Sequence, residues 1–485
     1  MTAAATVLRR ADTMKPDPRD DSQQPSASFW DEMRQLLRLG VPIAFVQFGL
    51  TSMNFIDVAL LGRHDRESLP AMTLGNLLTF GVMVFCMGTI TAADPLLSQA
   101  VGARDRDAVP RLLGRALLLS LLLSIPTAAL LLPAATWLAL LQQPAELIPE
   151  AAAYARLQTL GVLPFLWYGA LRSLLSAHAR LAPQVLTIIA GNLANFALDY
   201  VFIYGAFGMP EMGARGAGLT TVVCRWLMLF GLCAFGWSEI GPQLRRLGER
   251  AIRAPALAAG PLWRMLKIGA PIGVQFSLEW GAFGAVGLLV GVLETQSQDG
   301  TMGSLIGGHQ ITMMLCSLSF MVPLGLGIAA SVRVGWAVGR RDRDAVRRSV
   351  SVALVAAAVA MTGFMLLFLL APTPLARVLA EHDEMVVVAA SLIPIAGVFQ
   401  IGDGLQVVAV GCLRGLGDMR SAVIANVIGF WLLGVTIGSA LAFGADMGPA
   451  GLWWGLAIGL FAVAVGLLWV VRRRAAEDRA RLQVD

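Results

Sequence analysis

The chain has 485 residues, of which 56% are hydrophobic and only 14% charged, against roughly 25% charged in soluble domains. A water-soluble fold cannot hide that much apolar surface, and a soluble chain of this length splits into domains joined by polar linkers, which are mostly absent. The net charge of +5 sits in short loops, so it reads as a membrane-orientation signal and not as a nucleic-acid surface.

A membrane-crossing helix needs about 20 apolar residues. Apolar segments run at 38–61, 70–98, 112–140, 151–177, 184–206, 214–238, 264–293, 303–332, 346–371, 386–412, 420–443 and 449–471. The expected fold class is therefore an all-α polytopic membrane protein with twelve transmembrane helices. Residues 1–35 are expected to form a cytoplasmic polar tail, and no cleavable signal is expected because residues 1–28 have no apolar core. Within and beyond it, Phe29 to Leu39 reads either as an amphipathic lead-in along the membrane surface or as an ordinary soluble helical turn.

Arginines follow the even-numbered spans: Arg104, Arg106 and Arg111, then Arg180, then Arg245, Arg246, Arg250 and Arg253, then Arg340, Arg341, Arg343, Arg347 and Arg348, then Arg420, and last Arg472 to Arg474. The loops after odd spans hold few, as in Gln142 to Glu146 and Glu381 to Glu384. By the positive-inside rule both termini are expected in the cytoplasm, in a bacterial inner membrane.

The chain repeats itself. Val101-Gly-Ala-Arg-Asp-Arg-Asp-Ala-Val109 returns as Val338-Gly-Arg-Arg-Asp-Arg-Asp-Ala-Val346, Leu36 to Ile43 is echoed by Met265 to Ile272, and Leu171-Arg172 by Leu413-Arg414. This gives an N-lobe at 36–238, a cytoplasmic connector at 239–262, a C-lobe at 263–471 and a basic tail at 472–485. Six spans per half keep both halves in one orientation, so the two pseudo-symmetric lobes form a parallel repeat about the membrane normal. Paired lobes with a cleft between them suit alternating access better than enzymology.

Several chemistries are excluded. The two lysines are Lys15, before Pro16, and Lys267, before Ile268, so the Lys-Ser/Thr step of a phosphate-binding loop is missing and the chain is no ATP-driven pump. Cys86, Cys224, Cys233, Cys316 and Cys412 lie in apolar stretches without CxxC pairing and read as small core residues. The spans hold no triad, zinc spacing or paired-aspartate diphosphate motif; Asp20-Asp21 lie in the polar tail. No catalytic residue, cofactor or enzymatic activity is expected.

Acidic residues inside spans point to function, since an ionised group at mid-bilayer costs about 2.5–3.5 kcal/mol even on the lenient insertion scale. Asp57 on span 1 and Asp199 on span 5 fall at similar depth, and Asn192, Asn195 and Asp199 share one helix face. Thr221 on span 6 offers a hydroxyl at comparable depth. In the C-lobe, Glu279 on span 7 has Gln275 one turn earlier, and Asp403 on span 10 lies near Gln400. Two acids in low dielectric hold a proton or a cation, the makings of an ion-coupled switch; the alternative is interhelical hydrogen bonding that glues the bundle. Asp94, before Pro95, fits a local turn or gate contact as well as ion handling. Trp280, Met313 and Met314 are candidates to line an adaptable cavity for flat amphipathic ligands, or face lipid and neighbouring helices. His309 reads as a hydrogen-bonded helix residue and not a metal ligand.

Phe55-Ile-Asp57, Tyr204-Gly-Ala-Phe-Gly-Met-Pro-Glu-Met-Gly213, Gly308-His309-Gln310 and Asp403-Gly-Leu-Gln-Val-Val-Ala-Val-Gly-Cys-Leu-Arg-Gly415 together resemble the multidrug and toxic compound extrusion transporters, near the bacterial NorM type, over essentially the whole membrane region. The resemblance implies export of cationic amphipathic drugs in exchange for protons or sodium, with ion-linked positions at Asp57, Asn195, Asp199, Thr221, Glu279 and Asp403. Two residues depart from the NorM pattern. Phe399 stands where a tyrosine precedes the span 10 aspartate by four residues, which removes one oxygen from a sodium site at Glu279 and Asp403. Asp199 stands where asparagine is common, which favours protons. The expected partners are membrane lipids, small cationic drugs and the coupling ion, with no nucleic acid, and the chain is expected to act as a monomer. The alternatives are a major-facilitator-type exporter, whose loop signature Gly102-Ala-Arg-Asp105-Arg106 matches only partly, and a lipid-linked-oligosaccharide flippase, which needs a cationic cavity that the spans are taken to lack.

Overall fold

Apolar runs of this length satisfy their backbone as helices, because hydrocarbon offers no water to unpaired N–H and C=O groups. The computed structural model describes residues 28–64, 68–296, 303–379, 382–477 and 481–482; among the described residues the chain is helical, with no strand. Twelve helices are long and apolar enough to cross a membrane. Spans 1 to 6 are Phe29–His64, Leu69–Gly102, Ala108–Leu131, Ile148–Ala177, Ala182–Phe202 and Gly213–Phe235. Spans 7 to 12 are Ala259–Gln296, Ser304–Arg340, Arg343–Leu370, Asp383–Gly415, Arg420–Gly444 and Gly448–Ala476. Residues 1–27, with Lys15 and Asp20-Asp21, and Glu381 lie outside the described residues.

Local chemistry explains the departures from the expected segments. Phe29 to Leu39 is no separate surface helix: it is the first part of span 1, and its Glu32 is buried. Span 2 is two helices, Leu69–Ile90 and Ala93–Gly102, parted at Thr91. The Thr91 hydroxyl there bonds the Gly88 carbonyl at 2.6 Å, in competition with the helix ladder. Span 3 stops at Leu131 and a short helix, Ala134–Leu140, follows. The connector is itself helical, at Trp237–Gly248 and Arg250–Ala256. Span 11 widens into π-helix over Val427–Val435 and again over Ala440–Gly444, where it lies against span 12 so tightly that a Cβ on Gly455 would come within 2.3 Å of the Gly438 Cα.

The lobes meet along a seam that repeats the internal duplication: span 1 packs on span 8, and span 2 on span 7. Leu36, Leu39 and Ile43 of span 1 belong to the C-lobe core. At the other pairing, a Cβ on Gly88 would come within 2.7 Å of the Gly273 Cα, so only glycine allows this approach. Glu32 crosses the seam to form an ion pair with Arg333, whose Nε donates at 3.0 Å, and takes a 2.6 Å bond from the Ser349 hydroxyl.

The seam is closed at the arginine-rich end of the bundle. Gln99 Nε2 donates to the Gly415 carbonyl at 2.9 Å, and the C-terminal segment is tied over the same place. Arg481 pairs with Asp105 at 2.9 Å, and the Leu482 amide donates to Gln99 Oε1 at 2.8 Å. Partial burial works against the Asp105 charge, but the Ala108 amide and the Arg481 guanidinium hold its carboxyl below the usual carboxylate range. Toward the opposite end, contacts across the seam continue to Thr51 on Met321, at 3.3 Å, and Phe80 on Trp280, with ring centroids 5.9 Å apart. Farther out, Asn54 is exposed and takes a 3.1 Å bond from Asn76 of its own lobe. The hydrogen bonds and ion pairs that join the lobes thus gather at the basic end.

Candidate functional site

Three N-lobe spans converge on Asp57. Span 5 brings Asn195, whose Nδ2 donates to Asp57 Oδ1 at 2.8 Å. Span 6 brings Thr221, whose hydroxyl reaches Asp57 Oδ2 at 3.2 Å and is shared with the Ala217 carbonyl at 3.0 Å. Asp199, 0% exposed, has its carboxyl close to that of Asp57. Neither Asp199 oxygen has a well-formed hydrogen bond, although the Thr220 hydroxyl lies close to its carboxyl, and the Asn195 carbonyl oxygen is also buried and unbonded. Buried acceptors without donors are costly. Two carboxyl groups placed close together away from water share a proton or a cation more readily than they carry two negative charges.

Asn192 does not join this cluster. Its Nδ2 bonds the Gly49 carbonyl at 3.1 Å and the Ile188 carbonyl at 2.9 Å, so it ties span 5 to span 1 one turn away.

The C-lobe acids are arranged differently. Gln406 Nε2 donates to Glu279 Oε1 at 3.3 Å, and Gln275 and Asn426 flank the same carboxyl. Asp403 is buried and feels the Glu279 charge, but the two acids do not form a carboxyl pair like that of Asp57 and Asp199. Gln400 is turned to Ser319, at 2.7 Å. Phe399 is buried and stacks on Trp453 of span 12, centroids 5.6 Å apart. His309 meets the same Trp453 edge-on at 5.6 Å, and its Nδ1 is buried without a partner. Trp280 lies at the seam against Phe80, Met313 packs on the C-lobe core and Met314 is half-buried.

The buried charges of the spans include cations as well as acids. Three arginines inside the spans matter. Arg172 bonds Gln47 of span 1, and Arg414 bonds Gln275 of span 7, each at 3.0 Å, a matched pair set by the duplication. Asp94 is buried near the inner end of span 2. Arg225 on span 6 lines an N-lobe cavity with Asn76, Thr79, Phe80, Met83 and Phe165, so the spans do hold a cationic cavity residue. Tyr154 is buried beside Thr221. The same rule that singled out the acids, a charge inside an apolar run, finds Arg225 when applied to both signs.

The comparisons with known proteins agree with this architecture. The MatE family model matches residues 42–201 and 271–439. A probable multidrug resistance protein NorM from Bradyrhizobium diazoefficiens is 34% identical, covering 96% of this chain and 98% of that protein. The multidrug resistance protein PmpM of Pseudomonas aeruginosa is 32% identical, covering 93% and 94%. Among solved structures, the eukaryotic MATE transporter AtDTX14 superposes with a TM-score of 0.81 at 21% identity, covering 92% of this chain and 98% of that one. An outward-facing MATE transporter superposes at 0.77, with 19% identity and coverage of 92% and 96%. With both halves of the duplication matched in order, this chain belongs to the MatE family, the multidrug and toxic compound extrusion transporters.

Proposed function

We propose that the protein is a multidrug efflux antiporter that exports cationic amphipathic compounds in exchange for protons, by alternating access across a bacterial inner membrane. The observation that carries this reading is the cluster of Asp57, Asn195, Asp199 and Thr221, with its two neighbouring carboxyl groups and its unbonded acceptors. The multidrug resistance names of the relatives support the substrate class. The positive-inside rule puts the arginine-rich end and both termini in the cytoplasm, so the closed seam corresponds to a state open to the outside. In that state a proton arriving at the Asp57 and Asp199 pair neutralises the charge that holds a cationic drug, and the drug leaves outward. The lobes then rock about the seam and the proton is discharged to the cytoplasm. The protein acts as a monomer in the lipid bilayer, without nucleic acid or cofactor.

Sodium at Glu279 and Asp403 is the second reading. It has fewer oxygens to draw on: Gln406 occupies Glu279 with a donor, and Phe399 offers a ring where an oxygen would serve. In proteoliposomes, drug efflux is expected to respond to a pH gradient without sodium and to lose that response in Asp57→Asn. Efflux that needs sodium and ignores pH overturns proton coupling.

A further inference from the structure

We propose that the C-terminal segment at Arg481 and Leu482 is a strap across the basic end of the seam, which holds the lobes together there and is released each time that end opens. This rests on the alternating-access reading above and deepens it. The segment leaves the C-lobe and fastens on the N-lobe. Span 12 ends at Ala476 and Arg481 stands five residues later, and Arg481 Nη1 donates to Asp105 Oδ2, in the loop after span 2, at 2.9 Å. The Leu482 amide donates to Gln99 Oε1 of span 2 at 2.8 Å, while Nε2 of the same Gln99 donates to the Gly415 carbonyl of span 10. One buried amide side chain thus holds the strap with its oxygen and the opposite lobe with its nitrogen.

The Leu482 side chain fills the joint. It packs on the N-lobe core and on a small apolar cluster in which Ala92 of span 2 meets Ile272 of span 7 and Met419 of the loop after span 10. A leucine that covers apolar carbon of both lobes favours the state in which they lie together. Gly417 leaves the room for it: its φ is +82°, and a Cβ there would stand 3.1 Å from both Cγ and Cδ2 of Leu482.

The duplication separates the strap from the ordinary work of the loop. Asp105 and its counterpart Asp342 each serve the start of the next span, accepting from the Ala108 amide at 3.0 Å and from the Ala345 amide at 2.9 Å. The Arg481 bond at Asp105 is an addition to that shared cap, and its effect is geometric. Five residues of fully extended chain reach about 17 Å, so while Arg481 stays on Asp105 the end of span 12 and the loop after span 2 separate no farther than that reach and two side chains allow. The connector joins the lobes as covalent chain; the strap joins them by contacts that can be made and broken.

The test uses the full-length protein in proteoliposomes with ethidium as the transported cation. Opening of the seam is read separately, in purified protein, as thiol labelling of Ser98→Cys, because Ser98 of span 2 is buried against Gly335 of span 8. In that background Arg481→Glu is expected to raise the labelling rate about threefold, the loss of one partly exposed ion pair, and Arg481→Lys to leave it near the parent value. Asp105→Cys with Arg481→Cys, joined by a short bifunctional thiol reagent with a reducible link, is expected to lose ethidium efflux and to regain it on reduction; the wild-type chain under the same treatment controls for its own five cysteines. Equal labelling in Arg481→Glu and its parent, or efflux that continues in the joined protein, overturns the strap. If wild-type vesicles move no ethidium, the antiporter reading fails, and the labelling rates still decide the strap.

Discussion

Asn195 donates its amide to Asp57 across 2.8 Å and leaves its own carbonyl oxygen buried and unbonded. The amide thus gives a donor to one acid and leaves an acceptor without a partner. This arrangement costs stability in the absence of a proton or cation, and it explains why asparagine serves here where a residue with more donors would quiet the site.

Asp57→Asn is expected to supply the donor that Asp199 lacks, so the protein should be as heat-stable as wild type or more so. Its pH-driven drug efflux in proteoliposomes should fall by at least about tenfold, since no carboxyl pair remains to exchange a proton. Full efflux with unchanged stability would show that the cluster is only structural.

In the C-lobe, Gln275, Gln406 and Asn426 already surround Glu279, and an amide fits among amides. Glu279→Gln is therefore expected to fold normally, yet together with Asp403→Asn to reduce drug resistance strongly at normal expression. Wild-type minimum inhibitory concentrations in both variants would leave these acids without a part in coupling.

The ion pair of Glu32 with Arg333 joins the lobes at their closed end. Removing one member of such a buried pair costs about 3–5 kcal/mol, and this cost falls on the closed seam. Ser98, fully buried there, becomes a reporter: Ser98→Cys should react with a thiol reagent at least several-fold faster in the Arg333→Ala background. Equal rates would mean that the pair does not hold the seam.

The Asp105 carboxyl, lowered by Arg481 and the Ala108 amide, keeps its charge and its tie to the C-terminal segment at every pH above the ordinary carboxylate value near 4, and loses both as pH falls through its own lower value. Thiol labelling of Leu482→Cys, taken at each pH relative to a free thiol so that the changing thiolate fraction cancels, should accordingly stay flat from about pH 8 to about pH 5 and rise at neutral pH when Asp105→Asn is added. A rise in wild type between those two values would contradict the tie.

Orientation has a direct check. Cysteines at Gln142 or Asp383 should react with an impermeant thiol reagent in whole cells, and one at Glu249 should not; the reverse pattern would invert the topology and with it the direction of transport.

Length, hydropathy and the repeat were enough to read twelve spans, two lobes and the acids worth attention, because a lipid interior makes apolar run length and buried charge nearly unambiguous signals. Helix periodicity also put Asn195 and Asp199 on one face. Which span 5 asparagine reaches Asp57 was decided by packing: Asn192 and Asn195 share that face, but span 1 presents the Gly49 carbonyl to one and the carboxylate to the other. Packing likewise decides that Glu279, on span 7, is surrounded by the amides of Gln275, Gln406 and Asn426. The closed seam, the seat of Arg225 against Phe165 and the tie of Arg481 to Asp105 depend on contacts between distant segments, and only the tertiary structure specifies the separations on which hydrogen bonds and ion pairs turn.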